Sequence, residues 1–408
     1  MRFRFLGGAT EVGSLSMYME DDGKRFLFDY GFTPSSPPRL PLKAPPTDVV
    51  FLSHAHIDHS GLIPQLSSRI GTPVLSTPPT LDISEILWKD SHKICNLEGY
   101  PQMFSWDDLR SARNNFELIS FEDIKGMNDL SINFQSAGHI PGSMMTFVQG
   151  EKRTLFTGDL NTRDSRLLKG AKPVKCDNLI VEATYAGREH KPRKEQEKEF
   201  IEKINEIVNR GGKVVLPAFA VGRTQELMMI LKDQGFDIWV DGMGKSIIQI
   251  FLRHPAYLQS PVGLRQALQQ VSLTYNPNDR KRALKGDVII TTSGMMDGGP
   301  VLQYVNHIKD DPKNAILLTG YQVEGTNGRR LLDKGTLNLA GAEQKINAEI
   351  GFFDFSAHSG HSELVEFIRD CDPENVILFH SEEREALFED LKDEFNFILA
   401  DTNEMMEI

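Results

Sequence analysis

The stretch Val49-Val50-Phe51-Leu52-Ser53-His54-Ala55-His56-Ile57-Asp58-His59 decides how the rest of the chain is read. Its first four residues are an apolar run that reads as a buried strand over 49–53. Ser53 alone separates that run from four side chains able to bind a metal, packed into six positions. On an extended backbone, residues two apart point to the same side, so His54 and His56 are expected to grip one ion together. Asp58 and His59 follow once the strand has turned, and they face the neighbouring space. One segment thus offers two half-sites, which implies a pair of ions. A helix cap or a solvated loop accounts poorly for three histidines and an aspartate in this pattern at a strand end.

Composition sets the frame around this segment. A chain of 408 residues is too long for one ordinary core, so two domains are expected. No apolar window is long enough to cross a bilayer, and Met1–Gly8 lacks the features of a secretory signal. Cys95, Cys176 and Cys371 are few, odd in number and far apart, which fits a reducing cytoplasm. The expectation is a cytoplasmic protein with no membrane partner. The net charge of −12 is unevenly spread, because residues 186–356 carry 23 basic and 20 acidic side chains. A polyanion is therefore permitted at the middle third, though not demanded.

Short strands separated by Gly and Pro turns dominate the first part: 1–6, 14–19, 25–29, 130–135, 144–148, 154–157 and 178–182. Residues 34–46 read as a Pro-rich loop, and helices are expected over 61–69, 81–96 and 106–114. The pattern changes near Arg188. After a charged amphipathic helix over 191–209 come four strand–glycine loop–helix units, their strands at 213–217, 237–241, 287–292 and 315–319. Such a series predicts a parallel sheet with helices on its faces. A last α/β stretch holds a helix over 362–370, a strand over 375–380 and a helix over 384–395. Gly244-Lys245-Ser246 is not a nucleotide-binding P-loop, because Trp239 stands where that motif needs its first glycine.

Further candidate ligands stand where strands should end: His139, Asp159 and His380. Each alone is more often a turn or capping residue, and the joint pattern is what raises them. In order and local context, His54-x-His56-x-Asp58-His59, His139 and Asp159 resemble the metal motifs of the metallo-β-lactamase superfamily. Asp29, in Phe28-Asp29-Tyr30-Gly31, is similar to the aspartate that buttresses that site. Glu182, His358 and His380 resemble motifs A, B and C of its β-CASP branch. Pro217–Glu226 and Gly320–Thr326 are similar to segments of the cleavage and polyadenylation specificity factor endonuclease and its archaeal relatives. Relatives often carry KH domains ahead of the catalytic domain, with which this chain begins, and often place Arg where Ser14 stands.

The resemblance implies an α/β fold: a four-layer αβ/βα metallo-β-lactamase domain (1–187 and 357–408) interrupted by a β-CASP domain on a parallel sheet (188–356). It implies two zinc ions, one on His54, His56 and His139, the other on Asp58, His59 and His380, with Asp159 bridging. Such a pair would activate a hydroxide to cut single-stranded RNA, leaving a 5′-phosphate and a 3′-hydroxyl. Asp58, His358 and Glu182 are the implied catalytic side chains, with His358 the general acid that Glu182 orients. Glycine loops at the carboxyl ends of the inserted strands are expected to meet RNA phosphates through Ser293, Gly294 and Met295, with Arg223, Arg329 and Arg330 adding charge. A homodimer is expected too, because relatives commonly dimerise. The alternatives are a 5′→3′ exoribonuclease of RNase J type and a catalytically silent RNA-binding scaffold.

Overall fold

The computed structural model describes the backbone of residues 1–35, 37–339 and 341–408, and all their side chains except those of 67–70. Ser36, in the expected Pro-rich loop, lies outside the described residues. The chain divides into two compact units, one of residues 1–164, 169–189 and 357–408, the other of 165–168 and 190–356.

Among the described residues, the first unit holds two seven-stranded sheets. One runs in the order Met406–Glu407, Arg2–Gly7, Ser16–Asp21, Lys24–Phe28, Val49–Phe51, Val74–Ser76, Phe116–Leu118. The other runs Asn396–Ile398, Asn375–Phe379, Asn178–Glu182, Arg153–Phe156, Met144–Gln149, Leu130–Ser136, Ile124–Met127. Strand alternation decides which side chains meet. Phe26, Phe28, Val49 and Phe51 of the first sheet share one core with Phe134, Phe156, Ile180, Ile377 and Phe379 of the second. The intervening Leu27, Val50 and Leu52 face the opposite way and pack with Leu62 of a turn and with Leu81, Trp88 and Leu109 from helices. Likewise Leu179, Val181, Val376 and Leu378 pack on Leu364, Phe367, Ile368 and Leu387 from the C-terminal helices. This is the four-layer αβ/βα sandwich, and it explains why its central strands read as unbroken apolar runs: both faces are covered.

The second unit carries a six-stranded, all-parallel sheet in the order Val271–Leu273, Ile238–Asp241, Val288–Thr291, Val214–Pro217, Ala315–Leu318, Glu349–Phe352. Its four central strands are the four expected from sequence. Helices Arg193–Asn209, Arg223–Leu231, Gly244–Arg253, Pro300–Ile308 and Asn327–Lys334 connect or follow them.

Some boundaries differ from expectation. The strand expected to reach Ser53 stops at Phe51, because the Ser53 N–H turns away and donates to Asp29 Oδ1 at 2.7 Å. The helix expected from Leu81 starts at Pro78, capped by the Thr77 hydroxyl, since proline's missing N–H costs nothing in the first turn. The last helix is short, Glu385–Leu391, and is followed by the edge strand Asn396–Ile398.

Candidate metal centre

Because its strand ends early, His54 is held on a non-strand segment, and His56 is the residue immediately before the short helix Ile57–Ser60. Asp58 and His59 lie in that helix. Backbone bonds clamp it from outside: Tyr30 N–H donates to His59 O at 2.8 Å and Leu15 N–H to Asp58 O at 2.8 Å. Gly31 permits this approach, since a Cβ there would fall 1.9 Å from the Asp58 backbone. The shared direction of His54 and His56 thus comes from a turn and not from strand register. His54 Nε2 and His56 Nδ1 lie 3.1 Å apart.

His139 reaches the same point from the loop after Leu130–Ser136. Its Nδ1–H donates to Ala357 O at 2.8 Å, which leaves Nε2 as a lone pair 3.1 Å from His56 Nδ1. Asp159 follows strand Arg153–Phe156 and sits between two groups. Its Oδ2 lies 3.4 Å from His54 Nε2 and 3.5 Å from His139 Nε2. Its Oδ1 lies 3.3 Å from His59 Nε2 and 3.3 Å from His380 Nδ1. Asp58 Oδ2 stands 3.6 Å from His380 Nε2, a nitrogen that also accepts the Gly13 N–H at 2.9 Å.

Among the described residues three groups have ligand atoms within 4.8 Å of one another: His54/His56/His139/Asp159, Asp58/His59/His380, and Asp159/Glu182/His358, the first two of which form the facing donor sets. Their fit to metal ions can be tested on the polar atoms themselves. His59 Nε2 and Asp159 Oδ1 are buried, face each other, and have no hydrogen-bond partner. An unpaired buried donor set of this kind is costly unless a cation completes it. Charge agrees: the Asp29, Asp159 and Glu182 carboxylates are buried and Asp58 is partly so, a concentration of negative charge that favours cations. Imidazole and carboxylate donors suit zinc.

The titration of these groups follows from their surroundings. Burial, and then the neighbouring imidazoles, push His54 and His139 well below the ordinary histidine value; burial also lowers His56. Those three rings are neutral, as a cation requires. For His59 and His380 burial works the same way, but nearby carboxylates outweigh it. Asp159, Asp58 and Asp29 raise His59 well above its usual value, and Asp159 and Asp58 lift His380 to about 9. Two residues of the candidate centre also bear unusual backbones: Asp29, behind the histidines, at φ 58° and His380 at φ 61° occupy the left-handed region. Non-glycine residues persist there only when their surroundings over-determine them.

Glu182, at the end of its strand, accepts His358 Nδ1–H at 2.8 Å on Oε1 and the Thr184 N–H at 2.8 Å on Oε2. His358 Nε2 lies 3.9 Å from Asp159 Oδ2. Burial lowers the His358 pKa, yet the Glu182 and Asp159 carboxylates win and raise it.

The expected RNA-contacting residues gather at the carboxyl ends of three adjacent strands of the parallel sheet. Their condition varies. Arg223 is buried at the start of its helix, Arg329 pairs with Asp333 at 2.9 Å, and Arg330 lies 3.5 Å from Glu343. The Ser293–Met295 loop is braced by Gln322, whose Nε2 donates to Gly294 O at 3.2 Å, and by Gly328 N–H on Met295 O at 2.9 Å.

Sequence reading passed over Ser53, which touches both Asp29 and His54; its one signal was its place directly before the first histidine. His190 and His361, outside the candidate motifs, stand 3.5 Å from Asp354 and 2.8 Å from Asp390.

Three family models match the chain: the metallo-beta-lactamase superfamily over residues 9–217, the Beta-Casp domain over 224–331, and the Zn-dependent metallo-hydrolase RNA specificity domain over 343–397. The chain is 38% identical to a probable RNase MJ4 of Methanocaldococcus jannaschii, across 95% of this chain and 94% of that protein. It is 34% identical to RNase aCSPSF2 of Saccharolobus solfataricus, covering 95% and 81%. It is 32% identical to the transcription termination factor FttA of M. jannaschii, covering 95% and 68%. A solved structure of a protein of unknown function from Enterococcus faecalis shares the fold, with TM-score 0.63 at 13% identity over 100% of this chain and 99% of that one.

Proposed function

The chain belongs to the metallo-β-lactamase superfamily, in the β-CASP group of its archaeal ribonuclease relatives, and from that premise we propose that it hydrolyses single-stranded RNA with two zinc ions. The observation that carries this reading is Asp159 standing between the two donor sets, Oδ2 towards His54 and His139 and Oδ1 towards His59 and His380, with Oδ1 and His59 Nε2 both buried and unpartnered. His54, His56 and His139 would hold one ion, Asp58, His59 and His380 the other, with Asp159 bridging. When bound, such ions supply charge at the scissile phosphate and acidify water to a nucleophile at neutral pH.

The chain's own side chains supply the remainder. Asp58, the most exposed carboxylate of the set at 24%, is reachable by solvent and orients the attacking water. His358 gives its Nε2 proton to the departing 3′ oxygen, and Glu182, bonded to Nδ1, fixes which nitrogen carries that proton. The products are a 5′-phosphate and a 3′-hydroxyl. The domain boundaries proposed are 1–187 with 357–408, and 188–356. The Ser293–Met295 loop and Arg329–Arg330 of helix Asn327–Lys334 are proposed to meet the RNA backbone, with Arg223 adding charge.

Elemental analysis together with a labelled circular RNA tests the proposal. Two zinc equivalents and a linearised product ending in 5′-phosphate are expected. An intact circle alongside degraded linear RNA moves the reading to a 5′→3′ exonuclease, and a metal-free protein that binds RNA without cutting it returns it to a scaffold.

A further inference from the structure

We infer that one buried carboxylate, Asp29, fixes the ring tautomers of both His59, directly, and His54, through the Ser53 hydroxyl acting as a hydrogen-bond relay, and so prepares both metal half-sites at once. The inference rests on the metal reading of the centre, and the hydrogen bonds themselves carry it.

Asp29 is fully buried. Its Oδ1 accepts the Ser53 N–H at 2.7 Å. Its Oδ2 is 2.7 Å from Ser53 Oγ and 2.7 Å from His59 Nδ1. An ionised carboxylate can only accept, so both of these partners must donate to it. The donation from His59 places a proton on Nδ1, so that in the neutral ring a cation binds, Nε2 is the lone pair. That nitrogen faces Asp159 Oδ1 at 3.3 Å. The donation from Ser53 spends the only hydrogen of the hydroxyl. Ser53 Oγ also lies 3.0 Å from His54 Nδ1, and with its hydrogen committed it can meet that nitrogen only as acceptor. His54 must therefore carry its proton on Nδ1 as well, which leaves Nε2 bare. Nε2 is the atom that faces His56 Nδ1 at 3.1 Å and Asp159 Oδ2 at 3.4 Å.

The same residue thus sets the proton in both sets. His59 is served directly and His54 through one hydroxyl. Ser53 is 2% exposed, and its carbonyl is held by the Met144 N–H at 2.9 Å. Losing the hydroxyl leaves His54 Nδ1 without an acceptor and frees that ring alone, whereas losing the carboxylate frees both rings. Ser53 is therefore a positioning residue for one ion, and Asp29 for two.

The test measures zinc uptake by equilibrium dialysis over graded free zinc, in wild type, S53A, S53T and D29A. Nitrogen-15 spectra of histidine-labelled protein read the tautomers independently. In zinc-loaded wild type, both His54 and His59 are expected to show a protonated Nδ1 and a metal-bound Nε2. S53A should weaken one of two zinc equivalents by about 10–100-fold and alter only the His54 signals. S53T, which keeps the hydroxyl, should restore both, and D29A should weaken both equivalents. If wild-type His54 holds its proton on Nε2, the relay is wrong, and this holds even where a variant fails to fold. S53A binding two equivalents like wild type overturns it equally. A wild type that takes up no zinc removes the metal reading itself, and the relay with it.

Discussion

Replacing Asp58 by Asn keeps the side chain's size but removes a carboxylate from the less buried edge of the metal centre. The neighbours that hold this helix are backbone groups, so the fold should survive. Outer partners of a metal ligand typically cost 10–100-fold when lost, so loss of a direct ligand should lower cleavage by about a hundredfold or more. Turnover of labelled RNA beside an unchanged far-ultraviolet spectrum checks this, and wild-type rates in D58N would refute the assignment. His358 gives a pH prediction of definite sign. A general acid must be protonated, and Glu182 and Asp159 raise its pKa. Activity should therefore persist above the ordinary histidine value of about 6.5 and fall as pH climbs through the raised one. E182Q removes the largest raising influence, so the descending limb of kcat/KM should shift to lower pH; an unmoved limb means another group is the acid. Much of this site was legible because its proposed ligands sit in one six-residue motif or within three residues of an apolar strand's end. Ser53 was not legible. A serine after a strand is commonplace, and only the hydrogen bonds of the folded chain separate a relay from a turn.

At the scale of elements, legibility followed the strength of local pattern. Helix Trp106–Asn114 was read to the residue because Ser105 and Asp108 form a capping box around its start. Strands Val74–Ser76 and Phe116–Leu118 escaped notice: three residues each, they show no period, and their pairing with Val49–Phe51 and with each other is long-range. The inner phenylalanines were legible as apolar and not as partners. Phe156 stacks between the sheets, 4.7 Å from Phe28 and 5.3 Å from Phe379 by ring centroids. Phe379 directly precedes the proposed ligand His380, so this contact joins packing to the candidate metal centre. F156A should cost about 3–5 kcal/mol of stability, the usual range for emptying a buried aromatic site. A denaturant titration with an unchanged slope measures it, and a loss under about 1 kcal/mol would mean that the sheets close over the gap.

At the scale of the whole molecule, the seven proposed ligands all lie in one unit, and the parallel sheet of the other contains none of them. Metal removal should therefore destabilise the first unit selectively. At a free zinc concentration a hundred times its Kd, each site contributes about 2.7 kcal/mol, which a chelator takes away. The second unit has its own buried charge, and it responds to acid instead. Asp241, with a side chain 2% exposed, accepts Arg280 Nε at 2.7 Å, Lys245 Nζ at 3.2 Å, Tyr304 Oη at 3.0 Å and the Gly242 N–H at 2.7 Å. Burial alone would raise its pKa, but the donors led by Arg280 outweigh burial and lower it. A carboxylate depressed in the folded state stabilises above its unfolded value, about 3.9, and the benefit disappears as pH falls through the lower folded value. Calorimetry should then separate two causes. A chelator at neutral pH should lower the transition of the ligand-bearing unit and leave the other in place. D241N should lower the other transition by about 2–3 kcal/mol at neutral pH, the range for hydrogen bonds to a charged group, and by progressively less below pH 4 as wild type loses the same charge. A chelator that shifts both transitions equally would show that the two units do not melt independently.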